Sequence, residues 1–67
     1  MWLELTFTGN GNHKILVNMN NVNVIYAEDR LDNKFSIIEF HGEDDSVHVK
    51  ETLDEIADMI DKRTPSI

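Results

Sequence analysis

The sequence predicts an α+β domain: a five-stranded antiparallel meander, either open or curled into a small half-barrel, with one C-terminal α-helix. Two observations lead to this prediction. Apolar and polar residues alternate in five short segments, which is the period of half-buried strands. After the last segment the apolar period changes to that of a helix, at a Thr-Leu-Asp-Glu capping box that begins at Thr52.

Turn-forming residues separate the five alternating segments. Asn10 and Gly11 mark the first turn, and Gly42 begins the last one. The predicted strands are residues 2–8, 14–19, 22–28, 35–41 and 46–50. The helix is predicted over residues 53–62, because acidic residues stand in its first turn, basic residues stand in its last turn, and Pro65 follows.

The register of the first hairpin follows from its apolar residues. A three-residue loop at 10–12 pairs Phe7 with Ile15 and places the apolar residues of both strands on one side of the sheet. A slip of one residue would move one of these sets to the wrong face. This loop requires a positive φ at Gly11 or Asn12.

The predicted core consists of the inward-facing apolar residues of the strands and the apolar side of the helix. Its members are Leu3, Leu5, Phe7, Ile15, Val17, Ile25, Ile38, Phe40, Val47, Val49, Leu53, Ile56 and Ile60. Six further apolar residues alternate with this set and are predicted to face the other way: Trp2, Leu16, Val24, Tyr26, Phe35 and Ile37. A monomer seldom exposes so much apolar surface on one sheet face. Either curling buries part of it, or it forms a surface for a partner or a second copy.

The composition limits the classes of function. The 67 residues suffice for one domain, predicted over residues 1–63 and followed by a short tail at 64–67. Since the chain has no cysteine, disulfides and thiolate metal sites are excluded, and oligomerisation is the expected source of extra burial. The net charge of −7 argues against direct binding to nucleic acid or to anionic membranes. Without an apolar span or a signal-peptide pattern, the chain is expected to be cytoplasmic.

The titratable residues give no indication of catalysis, so we expect a non-enzymatic protein without a cofactor. Asp44 and Asp45 are adjacent carboxylates, but an exposed turn offers no burial that would adapt one of them to acid–base work. Glu39, His41 and His48 fall on neighbouring predicted strands and are residue types that bind zinc. An ordinary cross-strand pair, with Glu39 opposite His48, is the favoured interpretation, and no metal site is predicted.

Several segments occur in an order that is similar to a known family. They are Asn10-Gly11, Leu-Val-Asn at 16–18, Ile-Tyr-Ala-Glu at 25–28, and residues 49–56. Together they cover nearly the whole chain, which resembles the FlbD/SwrD-type small flagellar proteins. The resemblance implies a cytoplasmic, non-enzymatic accessory of flagellar motility, with no catalytic residues.

The function that the sequence favours is a small interaction module, homo-oligomeric, that binds a protein partner through a sheet face or edge. One alternative is an acidic inhibitor or DNA mimic of the phage or mobile-element type. Such a protein would act on a nucleic-acid enzyme through Glu43, Asp44, Asp45 and the helix acids. The other alternative is the flagellar accessory that the resemblance implies.

Overall fold

The computed structural model describes residues 1–9, 11–30 and 33–63, with only the backbone described for Arg30 and Asn33. The strands are β1 (Trp2–Phe7), β2 (His13–Asn18), β3 (Val22–Arg30), β4 (Asn33–Phe40) and β5 (Ser46–Val49); a 3₁₀ turn spans Met19–Asn21, and helix α1 spans Leu53–Arg63. Five antiparallel strands in one sheet and a C-terminal helix confirm the predicted α+β class. The predicted tail at 64–67 lies outside the described residues.

The sheet is a meander rolled up until its first and last strands pair. Its strand order is β2-β1-β5-β4-β3, and Phe7 of β1 is the register partner of Val49 of β5. The two edge strands, β2 and β3, are joined by a turn of only three residues. Four strand spacings of a flat sheet amount to about 19 Å, whereas a 3₁₀ turn advances about 2 Å per residue. The sheet is therefore strongly curled, although it is not closed into a barrel.

The first hairpin has its side chains on the predicted faces, but the predicted register is wrong by two residues. Phe7 pairs with His13 instead of Ile15. A shift of two residues leaves every side chain on its face, so the burial pattern cannot distinguish the two registers. Gly11 adopts a φ of 94°, which confirms the predicted positive-φ position in this turn.

The β3–β4 hairpin is longer than the sequence indicated. The polar residues 29–34 between the predicted strands 22–28 and 35–41 indicate a turn, yet β3 continues to Arg30 and β4 begins at Asn33, with these two residues paired. Polar residues extend the hairpin here because exposed strand ends need no apolar face. Residues 31–32 of the predicted turn lie outside the described residues.

The core lies between the inner face of the curled sheet and α1. Its buried members are all residues of the predicted core: Leu3, Leu5, Val17, Ile38, Val49 and Ile56. Five more predicted core residues are partly buried and pack against them: Ile15, Ile25, Phe40, Val47 and Ile60. The prediction is wrong for Leu53, which is 38% exposed. Leu53 is the first residue of α1, and side chains on a helix tilt toward its N-terminus, so Leu53 projects past the end of the core.

The predicted capping box begins α1. The Thr52 amide donates to Glu55 Oε1 at 3.0 Å, and the Glu55 amide donates to Thr52 Oγ1 at 3.2 Å. Acidic side chains stand in the first turn and basic ones in the last, as the helix dipole favours. Both ends of the helix are therefore stabilised by local sequence.

Replacing Thr52 by alanine is expected to lower the free energy of unfolding by about 1 kcal/mol, because the Glu55 amide loses its acceptor. Urea unfolding followed by circular dichroism measures this change. Thr52→Ser keeps the hydroxyl and is the matched control, with stability close to that of the wild type. Equal losses in the two variants would show that the methyl group, and not the capping bond, is responsible.

Candidate interaction surface

Four of the six residues predicted to form an outer apolar surface are exposed, and they form two groups. Trp2 and Leu16, on β1 and β2, are 55% and 66% exposed. Val24 and Tyr26, on β3, are 42% and 40% exposed. Strands β5 and β4 separate the two groups. We call Trp2 and Leu16 the β2 patch and Val24 and Tyr26 the β3 patch, after the edge strand in each group.

Of the other two predicted surface residues, Ile37 is buried and Phe35 is half-buried. Ile37 is only 4% exposed, so its assignment to the surface is wrong. Its register partners are Tyr26 on β3 and His48 on β5. On one side of Ile37, the half-buried Phe35 ring stacks on His48 with ring centroids 5.3 Å apart. On the other side, the Tyr26 hydroxyl donates to Glu39 Oε2 at 3.3 Å. These two cross-strand contacts flank Ile37 and account for its burial.

Tyr26 is held as a hydrogen-bond donor by its surroundings. Desolvation raises its pKa above the ordinary value of 10.0, and the charge and hydrogen bond of Glu39 and the charge of Glu28 raise it further. The phenol therefore stays protonated at neutral pH and fixes the Glu39 side chain.

The three metal-ligand candidates do not converge. Glu39 pairs with Ser46, and not with His48 as predicted, because this hairpin also differs from the predicted register by two residues. The Glu39 and His48 side chains make the cross-strand contacts described above, and His41 follows the end of β4. Among the described residues, no group of three or more His, Cys, Asp or Glu side chains could hold a metal ion.

The edge formed by β3 is long and uncharged over most of its length. With nine residues β3 is the longest strand, and the strand order leaves its outer edge unpaired within the described sheet. Residues 22–27 read Val-Asn-Val-Ile-Tyr-Ala and contain neither a charge nor a proline. Strand edges of this composition readily pair with other strands. The β2 edge is shorter and carries Lys14, a type of residue that discourages such pairing.

A polar junction, which the sequence reasoning missed, joins the start of α1 to the sheet. Glu51 Oε1 accepts from the Thr6 amide and Glu51 Oε2 from Thr6 Oγ1, both at 2.8 Å. Lys14 Nζ donates to Thr6 Oγ1 at 3.1 Å, and the buried Ser36 hydroxyl donates to the Glu51 carbonyl at 2.7 Å. In the sequence, this junction is marked only by one acidic residue, Glu51, between a predicted strand and the capping box. Such a residue does not indicate which distant side chain it binds.

The Glu51 carboxylate is ionised at neutral pH. Partial burial by itself would raise its pKa, but the Thr6 amide and hydroxyl, its own amide and the charge of Lys14 together lower the pKa below the ordinary 4.5. An ionised carboxylate with both oxygens engaged is a structural acceptor.

An open groove of about 350 Å³ lies between the β3–β4 hairpin and the first turn of α1. It exists because β5 is shorter than β4. Strand β5 pairs only with residues 36–39 of β4, after which the chain turns into α1, so the first residues of β4 have no strand on that side.

Comparison with protein-family models, with curated proteins and with solved structures finds no match to this chain. The similarity to FlbD/SwrD-type proteins therefore stays a prediction. None of the helices in the described part of the chain is long and apolar enough to cross a membrane.

Proposed function

We propose that this protein is a non-enzymatic, cytoplasmic interaction module that forms a homodimer through the β3 edge. The observation that supports this proposal is the β3 patch on an uncharged edge, where Val24 and Tyr26 stay exposed although the sheet is curled. A second copy can add its own β3 in antiparallel orientation and so extend the sheet across the two subunits. A chain of this length buries only about 60% of its unfolded surface, and a dimer adds to that burial.

A two-fold axis near Ile25 fits the side chains of this edge. It places Val24 opposite the partner's Tyr26, and it does so twice, because a two-fold interface repeats every contact. An aromatic ring opposite a β-branched residue is a favourable cross-strand pair. Glu28 then lies opposite Val22 of the second copy and Asp29 opposite its Asn21, so neither acid faces a charged residue.

The acidic-inhibitor and flagellar hypotheses stay predictions. In the acidic set, Asp58 is paired with Lys62 at 2.9 Å on the helix surface. No contact or distance among the described residues favours either hypothesis over an interaction module.

Replacing Val24 by lysine is expected to convert the dimer to a monomer, because a charge would enter the apolar pairs of the interface. Sedimentation velocity at tens of micromolar measures the change. Leu16→Lys is the matched control: it places the same charge on an outward-facing, exposed residue of the opposite edge strand and leaves the dimer intact. Circular dichroism checks that both variants fold. A monomeric wild type, or dissociation by Leu16→Lys but not by Val24→Lys, would contradict the proposal.

A further inference from the structure

We propose that the groove between the β3–β4 hairpin and the first turn of α1 binds a basic segment of a partner protein that carries an apolar side chain between lysines or arginines. This inference rests on the proposed interaction role, but it does not require self-association. It names the chemistry of the partner and the surface that receives it.

Three of the residues that line the groove are apolar. Leu53 lies at the first position of α1, one turn before the buried Ile56, and 38% of it is exposed. Phe35 and Ala27 line the same groove from β4 and β3. Apolar residues from three elements thus line a recess that is open to solvent. A recess of this kind suits an apolar side chain.

The charged residues that line the groove are mainly acidic. Glu28, Asp29 and Asp54 line the groove, and Lys34 is the basic residue among its described side chains. Three acids and one base give the described lining a net charge of −2, and the whole chain carries −7. Charge complementarity between surfaces steers binding and selects partners. It therefore favours a cationic segment here.

An anionic ligand does not fit the same place, although a helix begins there. Helix starts attract anions through unpaired amides, but the capping box occupies those of Thr52 and Glu55. Asp54 and Glu55 also place negative charge in the first turn. A phosphate or an acidic peptide would face these carboxylates. The groove thus discriminates by charge as well as by shape.

The backbone of β4 adds a third element of recognition. Pairing with β5 begins at Ser36, so Lys34 and Phe35 have no β5 partner on the side of the groove. An extended peptide can form main-chain hydrogen bonds with such an open stretch of strand. The bound segment is therefore expected to be extended, with its apolar residue toward Leu53.

Fluorescence anisotropy with three labelled peptides tests this proposal. The probe is the hexapeptide Lys-Arg-Lys-Leu-Arg-Lys; in a second peptide serine replaces its leucine, and in a third glutamate replaces its basic residues. We expect the probe to bind at least about tenfold more tightly than the serine peptide, which corresponds to about 1.4 kcal/mol. The acidic peptide is not expected to bind. Absence of binding by the probe, or equal binding of the first two peptides, would overturn the proposal.

Matched variants locate the site. Asp54→Asn is expected to weaken binding of the probe severalfold, whereas Asp61→Asn, with the same charge change near the other end of α1, leaves it unchanged. Leu53→Ser weakens binding, and Leu16→Ser, on the β2 patch, does not. Equal losses from Asp54→Asn and Asp61→Asn would show attraction to net charge alone, and would overturn the proposed site. If Leu53→Ser does not fold, Asp29→Asn replaces it with the same expectation.

The monomeric variant separates this proposal from the previous one. Val24→Lys should keep its affinity for the probe after it has lost the dimer. A wild type that is monomeric and binds the probe contradicts only self-association, and a dimer that does not bind it contradicts only the groove.

Discussion

Replacing Ile38 by alanine is expected to lower the free energy of unfolding by about 2–5 kcal/mol. Ile38 is fully buried in the central part of β4, where it pairs with Ile25 on one side and Val47 on the other. Truncation removes apolar burial and leaves a cavity that the surrounding strands cannot fill. Domains have about 0.05–0.15 kcal/mol of stability per residue, so a chain of 67 residues loses much or all of it.

Urea unfolding followed by circular dichroism measures this loss. Ile38→Val removes one methylene group and should cost about 0.5–1.5 kcal/mol. Leu16→Ala, at an exposed site on β2, should stay within about 0.5 kcal/mol of the wild type. If Ile38→Ala and Leu16→Ala were equally stable, the core would not be where the structure places it.

Replacing Glu51 by glutamine is expected to destabilise the protein by about 1–3 kcal/mol at neutral pH. The amide group cannot accept from both the Thr6 amide and the Thr6 hydroxyl, so one donor of the junction loses its acceptor. Glu43→Gln is the control for loss of charge, because Glu43 is an exposed carboxylate in the β4–β5 turn. That variant should stay within about 0.5 kcal/mol of the wild type.

The effect of Glu51→Gln should depend on pH in a defined direction. Since the pKa of Glu51 is lowered in the folded state, its stabilising contribution is complete above the ordinary value of 4.5. That contribution is lost as the pH falls through the lowered pKa of the folded protein. The difference between wild type and variant should therefore shrink in acid, as urea unfolding at several pH values would reveal. A difference that stays constant with pH would show that the charge of Glu51 does not act through this junction.

Features that depend only on residues close together in the chain were predicted correctly from the sequence. The capping box of Thr52 and Glu55 was predictable because both partners lie within one helical turn. The inner faces of the strands were predictable because alternation reports burial directly. Both predicted registers, Phe7 with Ile15 and Glu39 with His48, were wrong by two residues. Registers that differ by two residues place the same side chains on each face of the sheet, so the alternating pattern fits both of them. Turn geometry selects between such registers, and alternation does not.

Features that depend on distant segments were not predictable. Nothing near β1 indicates that it pairs with β5, and the junction between Thr6 and Glu51 depends on that pairing. Ile37 was assigned to the surface by alternation, yet side chains of two neighbouring strands cover it. Leu53 was assigned to the core by helical spacing, yet its place at the helix start leaves it exposed. The groove depends on the exposure of Leu53 and on the short length of β5. It could therefore not be predicted from the sequence either.

The pairing of β1 with β5 has a consequence for biosynthesis. Thr6 and Glu51, which bond across this pairing, are separated by 45 positions in a chain of 67. On the ribosome, the first hairpin emerges long before the strand that must dock beside it. A nascent chain that stops short of Val49 leaves one side of β1 uncovered. The native topology can therefore form only after the chain as far as Val49 and Glu51 has been translated and has left the exit tunnel.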